Sequence, residues 1–382
     1  MNNFSYHNTT QIHFGQGQIA AITNSIPKDK KILVTYGGGS IKSNGVYDQV
    51  KTALADHNWD EFSGIEPNPQ YDTLMKAVEK IRAESFDYLL AVGGGSVVDG
   101  TKFIAAAVNF EGDAWDILAK GANVESALPL GCVLTLPATG SETNAGAVVT
   151  RIKDKLAFMN PLVRPQFAVL DPQTTMSLSE RQTANGVVDA FVHVMEQYLT
   201  YPVNAKIQDR FAEGILLTLI EEGPKLIANP QDLEARTNVM WSATQALSGL
   251  IGLGVPQDWS THRIGHELTG QFGIDHGRTL TIVLPAVMEV NRADKKEKLL
   301  QYAARIWNIT EGSEDARIDA AIAKTKEFFS AMKTPVSLSE VDLDAASIDL
   351  AVESFAAHTP EAIGERGNVD PARARLILET AL

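Results

Sequence analysis

The sequence places the same four residues, GGGS, directly after two separate apolar runs. One copy lies in VTYGGGS (34–40) and the other in AVGGGSVVDGTK (91–102). In each copy the apolar run predicts a buried strand, and the residues after the glycines predict a helix. Glycines at such a turn let the backbone approach a phosphate closely, next to the free N–H groups of the helix start. One copy alone is explained equally well as a tight turn, and neither copy has the GxGxxG spacing of the usual dinucleotide fingerprint. The presence of two copies nevertheless favours a nucleotide site.

The pattern of strand, turn and helix continues to about residue 180. Buried strands are predicted at 32–35, 88–92, 132–136 and 167–170, with helices at 71–84 and 97–108. The strands lack polar alternation, which is typical of a parallel sheet that is covered on both faces. Residues 1–179 are therefore predicted to form a doubly wound α/β domain that binds a dinucleotide.

The second half of the chain has a helical period. Helices are predicted at 205–227, 234–250, 295–307 and 350–358. Ile318, Ile322, Phe329 and Met332 fall on one face of a further helix, which ends before Pro335. Residues 180–382 are therefore predicted to form an all-α domain.

Composition limits the partners and the compartment. The net charge of −14 over 382 residues argues against nucleic acid or an anionic membrane as a partner. Cys132 is the only cysteine, so no disulfide can form within the chain. The first residues, MNNFSYHNTTQIHFG, lack the apolar centre of a signal peptide, and no apolar run is long enough to span a bilayer. The expected location is the cytoplasm.

A carboxylate and several imidazoles recur at helical spacing. Asp189 and His193 lie one helical turn apart in NGVVDAFVHVMEQ (185–197), and His262 and His266 repeat that spacing before His276. Residues at i and i+4 share a helix face and can bind one ion together. Oxygen and nitrogen ligands without cysteine suit a borderline divalent ion such as Fe²⁺ or Zn²⁺. Spacing alone does not say which of the three later histidines is not a ligand.

Five segments of the chain resemble one known family. GVVDAFVHVMEQY (186–198) and STHRIGHELTGQFGIDHGRTLTIVLP (260–285) resemble the two signature regions of the iron-type, or group III, alcohol dehydrogenases. LLAVGGGSVVDGTKFIA (89–105), TLPATGSETNAG (135–146) and FAVLDP (167–172) are similar to the nucleotide-binding half of that family. The chain looks closest to the branch of NADPH-dependent butanol dehydrogenases and broad-range aldehyde reductases. The resemblance implies a dehydroquinate synthase-like fold, with a Rossmann-like α/β domain, an all-α domain that binds metal and substrate, and a metal ion in the cleft between them.

The resemblance also implies roles for individual residues. The implied metal ligands are Asp189, His193, His262 and His276. His266 is left beside the metal and the nicotinamide as a candidate proton donor, although the cofactor ribose hydroxyl or a water at the metal could serve instead. The implied NADP(H) contacts are Gly37, Gly38, Gly39, Ser40, Asn68, Gly94, Gly95, Ser96, Asp99, Thr135, Thr139, Asn144 and Lys155.

The choice of cofactor depends on the first glycine turn. Relatives that prefer NAD tend to carry an aspartate after the first strand, where it binds the adenosine 2′-hydroxyl and repels a 2′-phosphate. Here the stretch from Tyr36 to Ser40 contains no acid, and backbone N–H groups with the Ser40 hydroxyl are expected to bind a 2′-phosphate. The resemblance therefore implies a metal-dependent alcohol dehydrogenase that acts mainly as an aldehyde reductase and reduces small or medium aliphatic aldehydes with NADPH.

Other functions are available on the same fold. A dehydroquinate synthase-like lyase, a glycerol dehydrogenase or a non-enzymatic binding module are the alternatives. The lyase would be expected to show another ligand set and a cluster of basic residues, and the binding module would be expected to lack ligands or a GGGS turn. The resemblance also implies a homodimer.

Overall fold

A computed structural model describes residues 1–382. Its internal contacts divide the chain into two compact units. The α/β unit comprises His7–Leu178, and the helical unit comprises Ser179–Leu382 together with Met1–Tyr6. The sequence pattern gives no sign that Met1–Tyr6 leaves the α/β half. The backbone N–H of Asn2 donates to the carbonyl oxygen of Gly254 at 2.8 Å. The helical unit is therefore assembled from two separate stretches of chain.

Eight strands lie in the α/β unit. They are β1 (Gln11–Phe14), β2 (Lys31–Tyr36), β3 (Asn58–Phe62), β4 (Tyr88–Gly94), β5 (Leu130–Leu136), β6 (Gly146–Arg151), β7 (Asp154–Met159) and β8 (Phe167–Leu170). Six of them form a parallel sheet in the order β1-β8-β5-β4-β2-β3, and β6 and β7 form a separate antiparallel hairpin. The predicted parallel α/β fold is confirmed.

The four predicted strands are the inner strands of this sheet. β2, β4, β5 and β8 are almost entirely buried, so their sequences are continuously apolar. The sequence prediction omits β1 and β3, which are the two edge strands. Their sequences, QIHF and NWDEF, are half-exposed and carry polar residues, so they lack the apolar signal of an inner strand.

Helices cover the sheet. They are α1 (Ile22–Ser25), α2 (Ser40–Ser43), α3 (Val46–Ala53), α4 (Tyr71–Glu84), α5 (Gly95–Ala107) and α6 (Asp116–Ala119). The α4 helix has the predicted bounds, and α5 begins two residues earlier than predicted, directly at the second glycine turn. Apolar residues of β2, β4, β5 and β8, such as Val34, Leu90 and Val133, pack in one core.

The helical unit contains nine α-helices. They are α7 (Glu180–Tyr198), α8 (Lys206–Ala228), α9 (Leu233–Ala246), α10 (Ser260–Phe272), α11 (His276–Val290), α12 (Arg292–Ile306), α13 (Glu314–Ala331), α14 (Ala345–His358) and α15 (Pro371–Thr380). The predicted all-α character is confirmed. A capping box precedes α7, in which the Ser179 hydroxyl accepts the backbone N–H of Gln182 and Gln182 Oε1 accepts the backbone N–H of Ser179. None of the helices is both long and apolar enough to cross a membrane.

The order of the parallel strands brings the two GGGS turns together. From β2 the chain continues to β3, toward one edge of the sheet, and from β4 it continues to β5, toward the other edge. The direction of strand order therefore reverses between the neighbouring strands β2 and β4, which is the topological switch point. These strands are direct neighbours, with Tyr36 paired to Val92. Gly37–Ser40 and Gly93–Ser96 therefore leave the sheet side by side at its carboxyl edge. This pair of turns is called the glycine edge below.

Candidate active site

Three helices of the helical unit carry the predicted metal ligands. Asp189 and His193 lie on α7, His262 lies on α10, and His276 is the first residue of α11. These four residues are called the ligand cluster below. Asp189, His193 and His262 are buried, and His276 is partly exposed.

One carboxylate oxygen lies at the centre of the ligand cluster. Asp189 Oδ1 is 3.6 Å from His193 Nε2, 3.7 Å from His262 Nε2 and 3.8 Å from His276 Nε2. Ligand atoms about 2.1 Å from an ion at the corners of a tetrahedron lie about 3.4 Å apart, so these separations suit one shared ion. Asp189, His262 and His276 offer atoms that are all within 4.8 Å of one another, and His193 lies outside this mutually close set.

The two ring nitrogens of His262 have different surroundings. Its Nδ1 is 3.1 Å from Glu196 Oε1, whereas its Nε2 is buried and has no hydrogen-bond partner. A buried nitrogen without a partner, 3.7 Å from a carboxylate oxygen, is typical of a site that binds a cation. Burial lowers the pKa of His262, but the nearby carboxylates of Asp189 and Glu196 outweigh it and raise this pKa to about 9. The local field thus stabilises positive charge, and the donor set fits a divalent ion.

His266 lies beside the ligand cluster. It is buried one turn after His262 on α10, and its ring centre is 5.0 Å from that of His276 and 6.4 Å from that of His262. It does not belong to the mutually close set of donor atoms. Its assignment as a proton donor, like the assignment of the four ligands, stays a prediction.

Glu196 is a site residue that the sequence pattern does not single out. It occupies the same face of α7 as Asp189 and His193, because the three residues follow the helical spacing i, i+4, i+7. Three ionisable residues on one face of a largely buried helix are the sequence signal that points to Glu196. The glutamate also accepts a hydrogen bond from the backbone N–H of His262 at 2.8 Å.

The second glycine turn permits close packing. A Cβ atom on Gly93 would lie 2.5 Å from Val97 Cγ2, and one on Gly95 would lie 2.5 Å from Thr139 Oγ1. Val97 is buried and Thr139 is half-buried, so either clash requires a local shift of the packed unit. The glycines therefore let α5 begin directly at the end of β4. The free N–H groups of its first turn are a suitable site for a phosphate.

The first glycine turn is open. Gly38 and Ser40 are exposed, and a Cβ atom on Gly38 would have no heavy atom within 4 Å. Gly39 adopts a left-handed backbone with φ of 95°, which favours glycine. The nearest cation in sequence, Lys42, forms an ion pair with Glu61 at 2.9 Å.

The side chains of two predicted cofactor residues, Asp99 and Asn144, form hydrogen bonds within the α/β unit. Asp99 accepts hydrogen bonds from the Ser141 hydroxyl at 2.5 Å and from the backbone N–H of Val148 at 3.0 Å. Asn144 accepts from Lys102 Nζ at 3.0 Å and from the backbone N–H of Gly146 at 2.9 Å. Burial lowers the pKa of Lys102 to about 8, against the effect of Asp99. These side chains fix the 139–148 segment beside α5.

The remaining predicted cofactor residues lie around the same edge of the sheet. Asn68 has a left-handed backbone, and its N–H donates to the Ser96 hydroxyl at 3.3 Å. Thr135 lies near the carboxyl end of β5, and the Thr139 hydroxyl accepts from the backbone N–H of Ser141 at 3.2 Å. Lys155 is buried on β7, where it pairs with Thr150. The contact of each with NADP(H) stays a prediction.

Both halves of the chain match profiles of one protein family. Residues 9–172 match the iron-containing alcohol dehydrogenases, and residues 183–380 match the C-terminal domain of the Fe-containing alcohol dehydrogenase family. The chain belongs to the iron-containing alcohol dehydrogenase family. The family resemblance found in the sequence is thereby confirmed, and so is the prediction of an oxidoreductase of the alcohol dehydrogenase class.

Curated relatives and solved structures of the family agree with this. The NADPH-dependent aldehyde reductase YqhD of Escherichia coli is 57% identical over 100% of both chains. A probable NADH-dependent butanol dehydrogenase of Bacillus subtilis is 39% identical over 94% of both chains. The crystal structure of E. coli YqhD matches with a TM-score of 0.98 over 100% of this chain and 99% of that one. An NADH-dependent butanol dehydrogenase A of Thermotoga maritima matches with a TM-score of 0.96, at 37% identity and over 100% and 99% of the two chains.

Proposed function

We propose that this protein is a metal-dependent aldehyde reductase that transfers a hydride from NADPH to a small or medium aliphatic aldehyde. The observation that carries the proposal is the ligand cluster, in which one oxygen of Asp189 faces three imidazole nitrogens at 3.6–3.8 Å. The 57% identity to a full-length NADPH-dependent aldehyde reductase supports the cofactor and the substrate class.

The four residues of the ligand cluster would hold one divalent ion, Fe²⁺ or Zn²⁺. The aspartate supplies one negative charge and the neutral imidazoles supply none, so the bound site keeps a net positive charge. When bound, the ion supplies Lewis-acid polarisation of the substrate carbonyl.

The α/β unit would bind NADP(H) at the glycine edge. The first turn of α5, at Gly95 and Ser96, offers backbone N–H groups to the pyrophosphate. The open turn at Gly38 and Ser40 has no carboxylate that would repel a 2′-phosphate. Asp99 and Asn144 would act by holding the 139–148 segment in place, since their polar atoms bond within the unit.

The reaction adds a hydride and a proton to one double bond. When bound, NADPH would supply the hydride, with its two electrons, to the carbonyl carbon, and the carbonyl oxygen would take up a proton. His266 is proposed to deliver that proton from a ring nitrogen, since it is buried beside the ligand cluster with its ring centre 5.0 Å from that of His276. A cytoplasmic homodimer belongs to the same proposal.

The test is the initial rate of NADPH oxidation with butanal, measured on metal-loaded protein before and after chelation. The expected result is activity that disappears with the chelator, returns with Fe²⁺ or Zn²⁺, and is much lower with NADH. A verified metal-loaded and NADPH-binding sample that turns over no aldehyde would refute the proposal.

A further inference from the structure

We propose that Glu196 is a positioning residue that holds His262 in the orientation and tautomer needed to bind metal. This inference rests on the proposed metal site. Glu196 would keep the proton of the neutral imidazole on Nδ1, so that the lone pair of Nε2 is directed toward Asp189.

The contacts of one oxygen atom carry the inference. Glu196 Oε1 is 3.1 Å from His262 Nδ1, and it also accepts the backbone N–H of His262 at 2.8 Å. The first contact fixes the ring and the second fixes the main chain of the same residue. A histidine with a carboxylate on one ring nitrogen offers only the other nitrogen to a metal.

The position of Glu196 suits a residue that orients His262. Its side chain is 1% exposed, so it is held in place by packing and has little access to water. It lies on α7, the helix that also carries Asp189 and His193. One helix would therefore supply two ligands directly and orient a third ligand from α10.

A purely structural role is the competing explanation. Glu196 accepts the N–H of the third residue of α10, and Trp259, which precedes that helix, provides no side-chain cap. A cap of this kind contributes about 1 kcal/mol to stability. Loss of a cap lowers the stability of the metal-free protein, whereas loss of a positioning group lowers metal affinity. The two roles are therefore separable.

The experiment measures Zn²⁺ affinity by competition with a chromophoric chelator, together with thermal unfolding of each metal-free protein. The variants are Glu196→Ala, Glu196→Gln and, as a control, Glu213→Ala. Glu213 is also a buried carboxylate of the helical unit, but it bonds Tyr198 and Arg305 and no histidine.

The expected result is that Glu196→Ala binds Zn²⁺ about 10–100-fold more weakly than wild type. Glu196→Gln keeps an oxygen acceptor for both contacts but loses the charge, so its affinity should lie between those of wild type and the alanine variant. Glu213→Ala should lower the unfolding temperature and leave Zn²⁺ affinity unchanged.

Three results would overturn the role of Glu196. The first is a Glu196→Ala variant that folds cooperatively and binds Zn²⁺ with wild-type affinity. The second is a Glu213→Ala variant that loses as much Zn²⁺ affinity as Glu196→Ala. The third applies where Glu196→Ala does not fold, and it is unchanged Zn²⁺ affinity in Glu196→Gln. A wild-type protein that binds no Zn²⁺, or a His262→Ala variant that binds it normally, would instead refute the proposed metal site.

Discussion

The ligand cluster and the glycine edge use the chain in opposite ways. In the ligand cluster, side chains from three helices converge, and the chemistry belongs to their terminal atoms. At the glycine edge, the useful groups are backbone N–H groups, and a single added Cβ at Gly95 would meet Thr139 at 2.5 Å. Removing atoms should therefore damage the first region, and adding atoms should damage the second.

The sharpest test of this comparison is His262→Ala. Because the variant loses the buried Nε2 that faces Asp189, it should lose metal and show no measurable reductase activity. Metal analysis and NADPH oxidation on the same sample check this. His358→Ala is the matched control, since His358 also contacts a carboxylate of α10, Glu267 at 3.1 Å, and should keep its metal. A fully metal-loaded, active His262→Ala variant would break the comparison.

His266→Ala separates two kinds of histidine within the helical unit. It should retain metal and lose about 10²-fold in kcat, which is typical of a missing general acid. Metal content and kcat are measured together. Loss of metal would show that His266 is a ligand, and an unchanged kcat would assign the proton to the ribose hydroxyl or to water.

Gly95→Ala adds one carbon at the glycine edge. The new Cβ would overlap Thr139, so the free energy of unfolding should fall by about 1–3 kcal/mol. Chemical denaturation measures the loss. Gly38→Ala makes the same change in the other GGGS turn, where no heavy atom lies within 4 Å, and should change stability by less than about 0.5 kcal/mol. Equal effects in the two variants would contradict the distinction between the turns.

Gly38→Asp adds a charge where there is room for it. A carboxylate about 5 Å from a 2′-phosphate costs about 1–3 kcal/mol at the effective dielectric of a protein surface, so kcat/KM with NADPH should fall about 10–100-fold. Efficiency with NADH should change little. Gly38→Asn has the same shape without the charge and serves as the control. An unchanged ratio of the two efficiencies would place the 2′-phosphate elsewhere.

The inner part of the fold was predictable because burial leaves a strong sequence pattern. β2, β4, β5 and β8 read as strands since both faces of the sheet are covered, and α4 reads as a helix with its observed bounds. The edge strands β1 and β3 and the β6–β7 hairpin are partly exposed, so they carry no such pattern. The edge strands β1 and β3 also pair with strands that are distant in sequence, β8 and β2.

The sequence suggests the ligands of the candidate site, which stay a prediction, more readily than the residues that support them. Asp189, His193 and His262 are recognisable from spacing and family resemblance. Glu196 shares a face of α7 with Asp189 and His193, but its role depends on a contact with His262 of α10, which lies 66 residues later in the chain. Asp99 is singled out as a cofactor contact, but its side chain accepts hydrogen bonds from Ser141 and Val148. These partners follow it by more than 40 residues, so the sequence around Asp99 does not indicate them.

The placement of Met1–Tyr6 in the helical unit has a consequence for synthesis on the ribosome. Asn2 bonds to Gly254, which follows the entire α/β unit in the chain. At ordinary elongation rates that partner is made roughly 10–50 seconds after Asn2. The α/β unit can thus fold before the residues that bind Met1–Tyr6 have been synthesised, and the helical unit is completed last.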